Sequence, residues 1–386
     1  MGFDFHCYVP CLRWKQGEYE AISQLEPEIK RMLMPLIEVP EFGRPEHGWD
    51  HETERKIKTI DKHLALFVER IYKKWNDLPF FVDLNLISPT QRMKNGIHPI
   101  SFIFKELRGL LGSRAVPVTS LTRDSEYQRE VKTAVANDKN GVALRISIEQ
   151  AAKNTFKAEA DSLLSTFQVQ LGECDFILDL GALKNFLPLN GLATAIQVIM
   201  SKIPYLNEWR TFTLLGTSFP ETMGSIKKEE EIIQRFEWQL YKILITNLGR
   251  NNVRLPAFGD YAINHPKVSE VDMRTVNTSA NIRYTIDNSW FIVKGNKLKK
   301  NKKDKETSVK DKKYGFGQYR DLSKRIINSK YYFRPTFSWG DEYIQKCATG
   351  KSGTGNLSTW RRVGTSHHIV KVMQDIASFY ASSSSL

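Results

Sequence analysis

The sequence predicts an α/β protein built on a closed (β/α)8 TIM-type barrel. A C-terminal β-hairpin insertion, a lysine-rich loop and a lid-like helical extension complete it. Three observations predict this class. Short apolar runs recur along the chain, clearest at Phe80-Phe81-Val82-Asp83-Leu84-Asn85 and Phe176-Ile177-Leu178-Asp179-Leu180-Gly181. Such runs suit parallel strands buried on both faces. Each run ends in a polar residue, where a parallel α/β fold places its chemistry. Segments with apolar residues at helical spacing separate the runs. No run has the short, polar look of an open-sheet edge.

Taken in order, Phe5–Pro10 reads as the first strand, followed by an amphipathic helix over Gln16–Arg31 with Tyr19, Ile22, Leu25 and Ile29 on one face. Leu33–Glu38 is the second strand, and Glu41–Thr53 a loop. A long helix over Glu54–Trp75 leads to the third strand, Pro79–Leu86, and a helix over Pro99–Leu111. Strands at Ala115–Leu121, Gly141–Ser147, Asp175–Leu180 and Arg210–Thr217 then alternate with helices over Ser125–Asn137, Thr155–Leu171, Gly191–Ile203 and Lys227–Leu248. Arg254–Asp260 is the eighth strand. Beyond it Asn281–Ile286 and Ser289–Val293 alternate as a hairpin around Asp287-Asn288. A helix over Tyr319–Asn328 is expected to close the barrel, Gly350–Gly355 to be a loop, Ser366–Phe379 a last helix, and Ser382–Ser385 a frayed tail. The organisation is a barrel core over 1–265, hairpin, basic loop and closing helix over 266–335, and a C-terminal loop and helix packing on the barrel over 336–386.

Composition bounds the class. The chain has 386 residues, 41% hydrophobic and 26% charged. No apolar run approaches the ~18 residues a membrane span needs, so no membrane partner is expected. The first residues lack a signal-peptide layout. The four cysteines are spread, and Cys7 and Cys11 find no second pair to complete a zinc site. A reduced, cytoplasmic protein is the expectation. The net charge is +13, and residues 297–313 hold nine lysines against Asp304, Glu306 and Asp311. That stretch is either a solvated loop or an electrostatic arm for a nucleic acid or nucleotide. With no aromatic inside it, base stacking is not indicated.

A closed barrel would bring Glu38, Asp83, Asn85, Ser120, Arg145, Asp179, Ser218 and Asp260 to one mouth, beside Arg13 and Lys15. Carboxylates and cations around one cavity do not stay unpaired in low dielectric. They either pair with each other or hold a charged ligand, with a divalent ion such as Mg2+ or Mn2+ as one alternative. In that case Arg145 and Lys15 suit a phosphate or carboxylate. A second constellation, Trp360-Arg361-Arg362-Val363-Gly364-Thr365-Ser366-His367-His368, reads as a loop entering a helix capped by Thr365 or Ser366. Its backbone N–H groups and arginines would make an anion seat. Adjacent helical residues point about 100° apart, so one histidine is expected at the mouth while the other packs.

Three pieces carry a resemblance: Tyr8-Val9-Pro10 with Leu12 to Tyr19, then Pro35-Leu36-Ile37-Glu38, then Trp360 to Gly364 with His367-His368-Ile369. Together they resemble the beta-protein family, named from a satellite phage of enterobacteria. The resemblance implies a prophage- or island-borne protein with a role in anti-phage defence or host killing beside small neighbouring proteins of the same cassette. It gives weight to Lys15, Gln16, Glu18, Glu38, Trp360, Gly364, His367 and His368, and leaves the lysine-rich stretch outside. Two functions follow as expectations. One is a phosphodiester hydrolase with Glu38, Asp83 and Asp179 as metal ligands or base, and His367 or His368 as acid. Lys15, Glu18, Asn85, Arg145, Asp260, Trp360 and Arg361 would bind its ligand. The other is a non-catalytic protein that restrains or activates a partner toxin, expected if the mouth carboxylates are paired off. A basic nucleic-acid-binding protein is a third reading. The two ends of the chain are expected to meet, with a histidine over the same mouth as Lys15 and Glu38.

Overall fold

The structure, a computed structural model, describes residues 4–43, 49–50, 55–112, 114–183, 185–250, 253–267, 278–298 and 313–382. Its strands in chain order are β1 (Tyr8–Leu12), β2 (Leu36–Glu38), β3 (Trp49–Asp50), β4 (Arg55–Lys56), β5 (Phe80–Asp83), β6 (Ala115–Thr119) and β7 (Val142–Ser147). They continue as β8 (Cys174–Asp179), β9 (Thr211–Gly216), β10 (Glu230–Gln234), β11 (Ala257–Asp260), β12 (Ser279–Ile286) and β13 (Ser289–Lys297). Eight of them close a parallel barrel in the order β1, β11, β9, β8, β7, β6, β5, β2. The predicted (β/α)8 barrel is therefore present. β1 pairs with both β11 and β2, which removes every edge from the sheet.

Alternation along the strands divides the residues between two layers. Val9, Cys11, Leu36, Phe81, Ile177 and Tyr261 fill the barrel interior. Tyr8, Leu12, Ile37, Val82 and Phe258 face outward into the layer under the helices. A three-stranded antiparallel sheet, ordered β10–β13–β12, sits beside the C-terminal rim. Trp290 and Ile292 of that sheet pack on Phe219 and Ile263, which follow β9 and β11. Its other face, with Tyr284, Phe291 and Val293, forms a second core with Tyr319, Ile344 and Trp360.

The C-terminal helix, Leu357–Ser382, is 26 residues long and serves both cores. Trp360 and Val363 lie in the second one. Ile369, Val372 and Ile376 lie in the barrel's outer layer. Burying each contributes about 1.5–3 kcal/mol. Near its end Tyr380 meets the Tyr241 hydroxyl at 2.9 Å. This helix covers the seam between β11 and β1, so it occupies the eighth helical position of the barrel.

Several expectations are corrected. The closing helix is not Tyr319–Asn328, whose Tyr319, Leu322 and Ile326 belong to the second core. The final helix starts at Leu357, so Trp360 to His368 is no loop, and Thr365 and Ser366 lie mid-helix and buried. The extension is a flank of the barrel, not a lid. Gln16–Arg31 breaks into helices Gln16–Ser23 and Pro27–Arg31, because Pro27 has no N–H to give and opens a new helix. The third helix begins at Ile60, where the Thr59 side chain accepts from the Lys62 N–H at 3.2 Å. Lys227–Gln234 is not helical. Glu230–Gln234 pairs with Ser289–Val293 as β10, and the helix starts at Phe236. The lysine-rich expectation falls largely on residues 299–312, and most of the serine tail on 383–386, outside the described residues.

Candidate functional site

At the C-terminal ends of β2, β5, β7 and β8, the inward positions are Glu38, Asp83, Arg145 and Asp179. Arg145 is the hub. Its Nε donates to Asp179 at 2.8 Å, its Nη1 to both Glu38 and Asp83 at 2.8 Å, and its Nη2 to the Tyr261 hydroxyl at 2.8 Å. Tyr261 in turn donates to Asp179, 2.7 Å from Oδ2. Arg123 donates to the remaining Asp83 oxygen. The Arg13 guanidinium stands 3.9 Å from Glu38. Three carboxylates thus meet three guanidiniums, and the network is close to neutral. Asp83 and Asp179 also accept backbone N–H groups from Asn85 at 2.9 Å and Gly181 at 2.7 Å, turning the chain after each strand.

Burial raises the Glu38 carboxyl above the usual range; Arg145 opposes the shift and Asp83 adds to it. Burial also pushes the Tyr261 hydroxyl well up. Burial works against the Arg145 charge, but Tyr261, Asp179 and Glu38 outweigh it and hold the guanidinium protonated. One Glu38 oxygen, Oε2, is buried without a hydrogen-bond partner. The residues do not fit Mg2+ or Mn2+. Arg145 fills the point on which the carboxylates converge, and no group of three His, Cys, Asp or Glu among the described residues is placed to hold a metal ion. The carboxylate pairing that the sequence left open is the arrangement adopted. Asn85 stands outside it, exposed, lining an open depression of about 570 Å³ with Glu41, Phe42 and Ile87.

The histidines belong elsewhere. β11 alternates, so Tyr261 points into the barrel and Asp260 points out of it. Asp260 accepts from the Tyr8 hydroxyl at 2.5 Å and lies 2.9 Å from His368 Nε2. The other His368 nitrogen accepts from Thr285 Oγ1 at 2.8 Å. Burial lowers the His368 pKa, which matches an imidazole donating at Nε2 and accepting at Nδ1. Burial acts to raise Asp260, but His368, Tyr8 and Arg235 outweigh it and hold this carboxyl low. His367 lies on the other side of β12. Its Nδ1 is 2.8 Å from Asp341, its Nε2 2.7 Å from the Thr285 carbonyl, and its ring stacks on Tyr284 at 3.9 Å. Both imidazoles are 0% exposed. The expectation of a histidine over the mouth with Glu38 fails because the barrel wall separates Asp260 from Tyr261. Asp260 is likewise no mouth ligand, and Trp360 is stacked on Tyr319 at 4.4 Å inside the second core.

The two ends of the chain do meet, through other residues. Glu18 accepts from the Asn264 amide at 2.6 Å, and Asn264 accepts from Arg361. Ser358 donates to Gln16 at 3.0 Å. Gly17 lets the helices touch: a Cβ there would lie 2.5 Å from the Arg361 Cβ. Glu18 also accepts from the Lys15 N–H at 3.2 Å, while the Lys15 side chain is exposed. Sequence reasoning missed Arg123, Tyr261, Asn264, Arg283, Thr285 and Asp341. Strand parity counted from Ala257 and Gly259 would have turned Tyr261 inward and Asp260 outward. Nothing local marks Asp341 or Arg283.

Comparison with known proteins agrees across almost the whole chain. A family model described as Beta protein matches residues 8–374. Protein beta of Enterobacteria phage P4 is 23% identical over 391 residues, covering 96% of this chain and 94% of that protein. No described helix is long and apolar enough to cross a membrane.

Proposed function

This chain belongs to the Beta protein family, and from that premise we propose that it is a phage- or island-encoded interaction protein. Its barrel serves as a scaffold, and its partners are other proteins of a defence or toxin-linked cassette. The observation that carries this reading is the Arg145 hub. Both oxygens of Asp83 and Asp179, and one of Glu38, are taken by guanidinium, hydroxyl and backbone donors, so little of their basicity is left for a metal or a substrate. The histidines that a hydrolase would need are committed to Asp341 and Asp260 away from the mouth. The experiment is a phage-challenge and host-killing assay of the gene with its neighbours, comparing wild type with Glu38→Gln and Asp179→Asn. Folded variants that keep the phenotype support a scaffold. Loss of the phenotype in both, with melting temperature unchanged, overturns it.

A second reading, phosphodiester hydrolysis at the mouth, draws on one specific observation. Glu38 Oε2 has no hydrogen-bond partner, and burial raises this carboxyl, as suits a general acid or base. A screen of the purified protein against nucleotides and DNA, with and without Mg2+ and Mn2+, tests it. Turnover abolished by Glu38→Gln would favour this reading over the scaffold.

A further inference from the structure

Beside the paired mouth lies a group of cations with little carboxylate to balance it. Arg13 follows β1, Arg283 lies in β12 and Arg361 in the C-terminal helix, and all three turn towards the segment after β11. Arg283 Nη1 donates to the Ile263 carbonyl at 2.7 Å, and Arg361 Nη1 reaches the same oxygen at 3.2 Å. Arg13 Nη2 donates to the next carbonyls, His265 at 2.7 Å and Pro266 at 2.5 Å. Two guanidiniums that share one carbonyl oxygen stand close together with like charge. Arg283 finds no carboxylate within ion-pair distance among the described residues, and Arg361 reaches Glu18 only through Asn264. Arg13 has only Glu38, 3.9 Å away, which Arg145 already holds.

The arrangement is built by sequence features at both ends of the chain. Gly17 admits the Arg361 stem. A Cβ on Gly364 would meet Ile263 Cδ1 at 2.8 Å and the Arg283 carbonyl at 3.1 Å. Burial lowers the pKa of both Arg283 and Arg361; Arg361 adds to the shift at Arg283, while at Arg361 Glu18 opposes it and Arg13 adds to it, a penalty that a bound anion would relieve. Arg13, Arg283 and Arg361 are each half-buried rather than sealed in the core, so an anion can approach them.

We infer that Arg13, Arg283 and Arg361 form a binding site for a phosphate group, seated over Ile263–Pro266. Backbone carbonyls orient the guanidiniums without neutralising them. A phosphate dianion offers two charges and several oxygens to forks arriving from three elements, where a carboxylate offers one charge and two oxygens. This site adjoins the mouth through Arg13, whose guanidinium is 3.9 Å from Glu38, and does not depend on the scaffold reading.

The test is titration calorimetry of the full chain at low ionic strength with inorganic phosphate, AMP and adenosine, against chloride at equal ionic strength. Phosphate and AMP are expected to bind and adenosine not. Arg283→Gln and Arg361→Gln should each weaken phosphate at least tenfold, while Lys157→Gln, on a remote helix, leaves it unchanged. Equal affinities for phosphate and AMP assign a site for the phosphate group alone, and a tighter AMP assigns a nucleotide. Arg283→Lys keeps the charge and stem, so it covers the case in which the glutamine variants do not fold; it should bind more weakly than wild type. Adenosine binding as well as AMP, no phosphate binding at all, or phosphate affinity unchanged in the folded arginine variants overturns the proposal.

Discussion

The barrel mouth and the histidine layer use similar side chains in opposite arrangements. At the mouth one guanidinium serves three carboxylates, with Tyr261 and Arg123 completing the set. Behind the wall each carboxylate has its own histidine and its own tyrosine: Asp260 with His368 and Tyr8, Asp341 with His367 and Tyr284. Asp260 and Tyr261 are adjacent in the chain and belong one to each system. The difference teaches that a shared hub concentrates the penalty of any break, whereas paired partners confine it.

The largest effect is therefore expected at the hub. Arg145→Met leaves Glu38 and Asp83 buried without their main donor and should cost about 3–5 kcal/mol in urea unfolding. Adding Glu38→Gln and Asp83→Asn to it removes the stranded charges and should recover much of that loss. No recovery would show that Arg145 acts through packing instead.

Next in size is His367→Phe, which keeps the ring on Tyr284 but strips Asp341 of its imidazole partner. About 3 kcal/mol should be lost, and hydrogen exchange should rise first around Tyr284 and Phe333 while the barrel strands stay protected. Uniform loss of protection would mean that the two cores unfold as one unit.

A smaller, pH-dependent effect takes opposite signs at two buried groups that both sense Asp260. Glu237 accepts from the Ser218 N–H at 3.0 Å, and burial, against the pull of Arg235, raises its carboxyl to about 7. The folded state binds that proton more tightly than the unfolded one. Its stabilisation is therefore full below the unfolded value and declines as pH climbs towards 7. His368 is lowered by burial, so its contribution holds above the unfolded value and is lost as pH falls. Glu237→Gln should remove the first limb, gaining about 2 kcal/mol relative to wild type between pH 5 and pH 8. An identical pH profile in the variant would place the Glu237 titration elsewhere.

The smallest effect is expected where the chain ends touch. Gly17→Ala drives a Cβ against Arg361 and the Ser358 carbonyl, and should cost about 1–2 kcal/mol by thermal melting.

The barrel was legible because its signal is local: apolar runs bounded by polar residues mark strands whatever lies across the sheet. Glu38, Asp83 and Asp179 were legible for the same reason, each ending such a run, and Arg145 as the one charge within its run. What they do to each other was not, since Arg145 reaches Glu38 across 107 positions of sequence. His367-His368 misleads because the Gly/Ser/Thr residues before it read as the entry of a helix, whereas the helix already begins at Leu357. Asn356 does cap the true start, its Oδ1 accepting from the Thr359 N–H at 3.0 Å, but this single signal lies among the turn residues of a Gly/Ser/Thr-rich stretch. Here Gly364 is a clearance for β12, a role that only the neighbour reveals. β10 was lost inside a helix for a related reason: Glu230 to Gln234 alternates for only five residues, and its partner strand lies far downstream.

The helix that serves both cores sets an order on how the protein is made. A chain emerging from its amino end has laid down all eight barrel strands by Asp260. Tyr8 must then find Asp260 across 252 positions, and Ile369, Val372 and Ile376, which cover that seam, are synthesised well after both. Until they arrive, the outer faces of β1 and β11 stand bare beside unpaired parallel edges, the kind of surface that recruits chaperones or self-associates. Two of the inserted sheet's three strands, β12 and β13, are translated in that interval, so the barrel is the first part begun and the last part sealed.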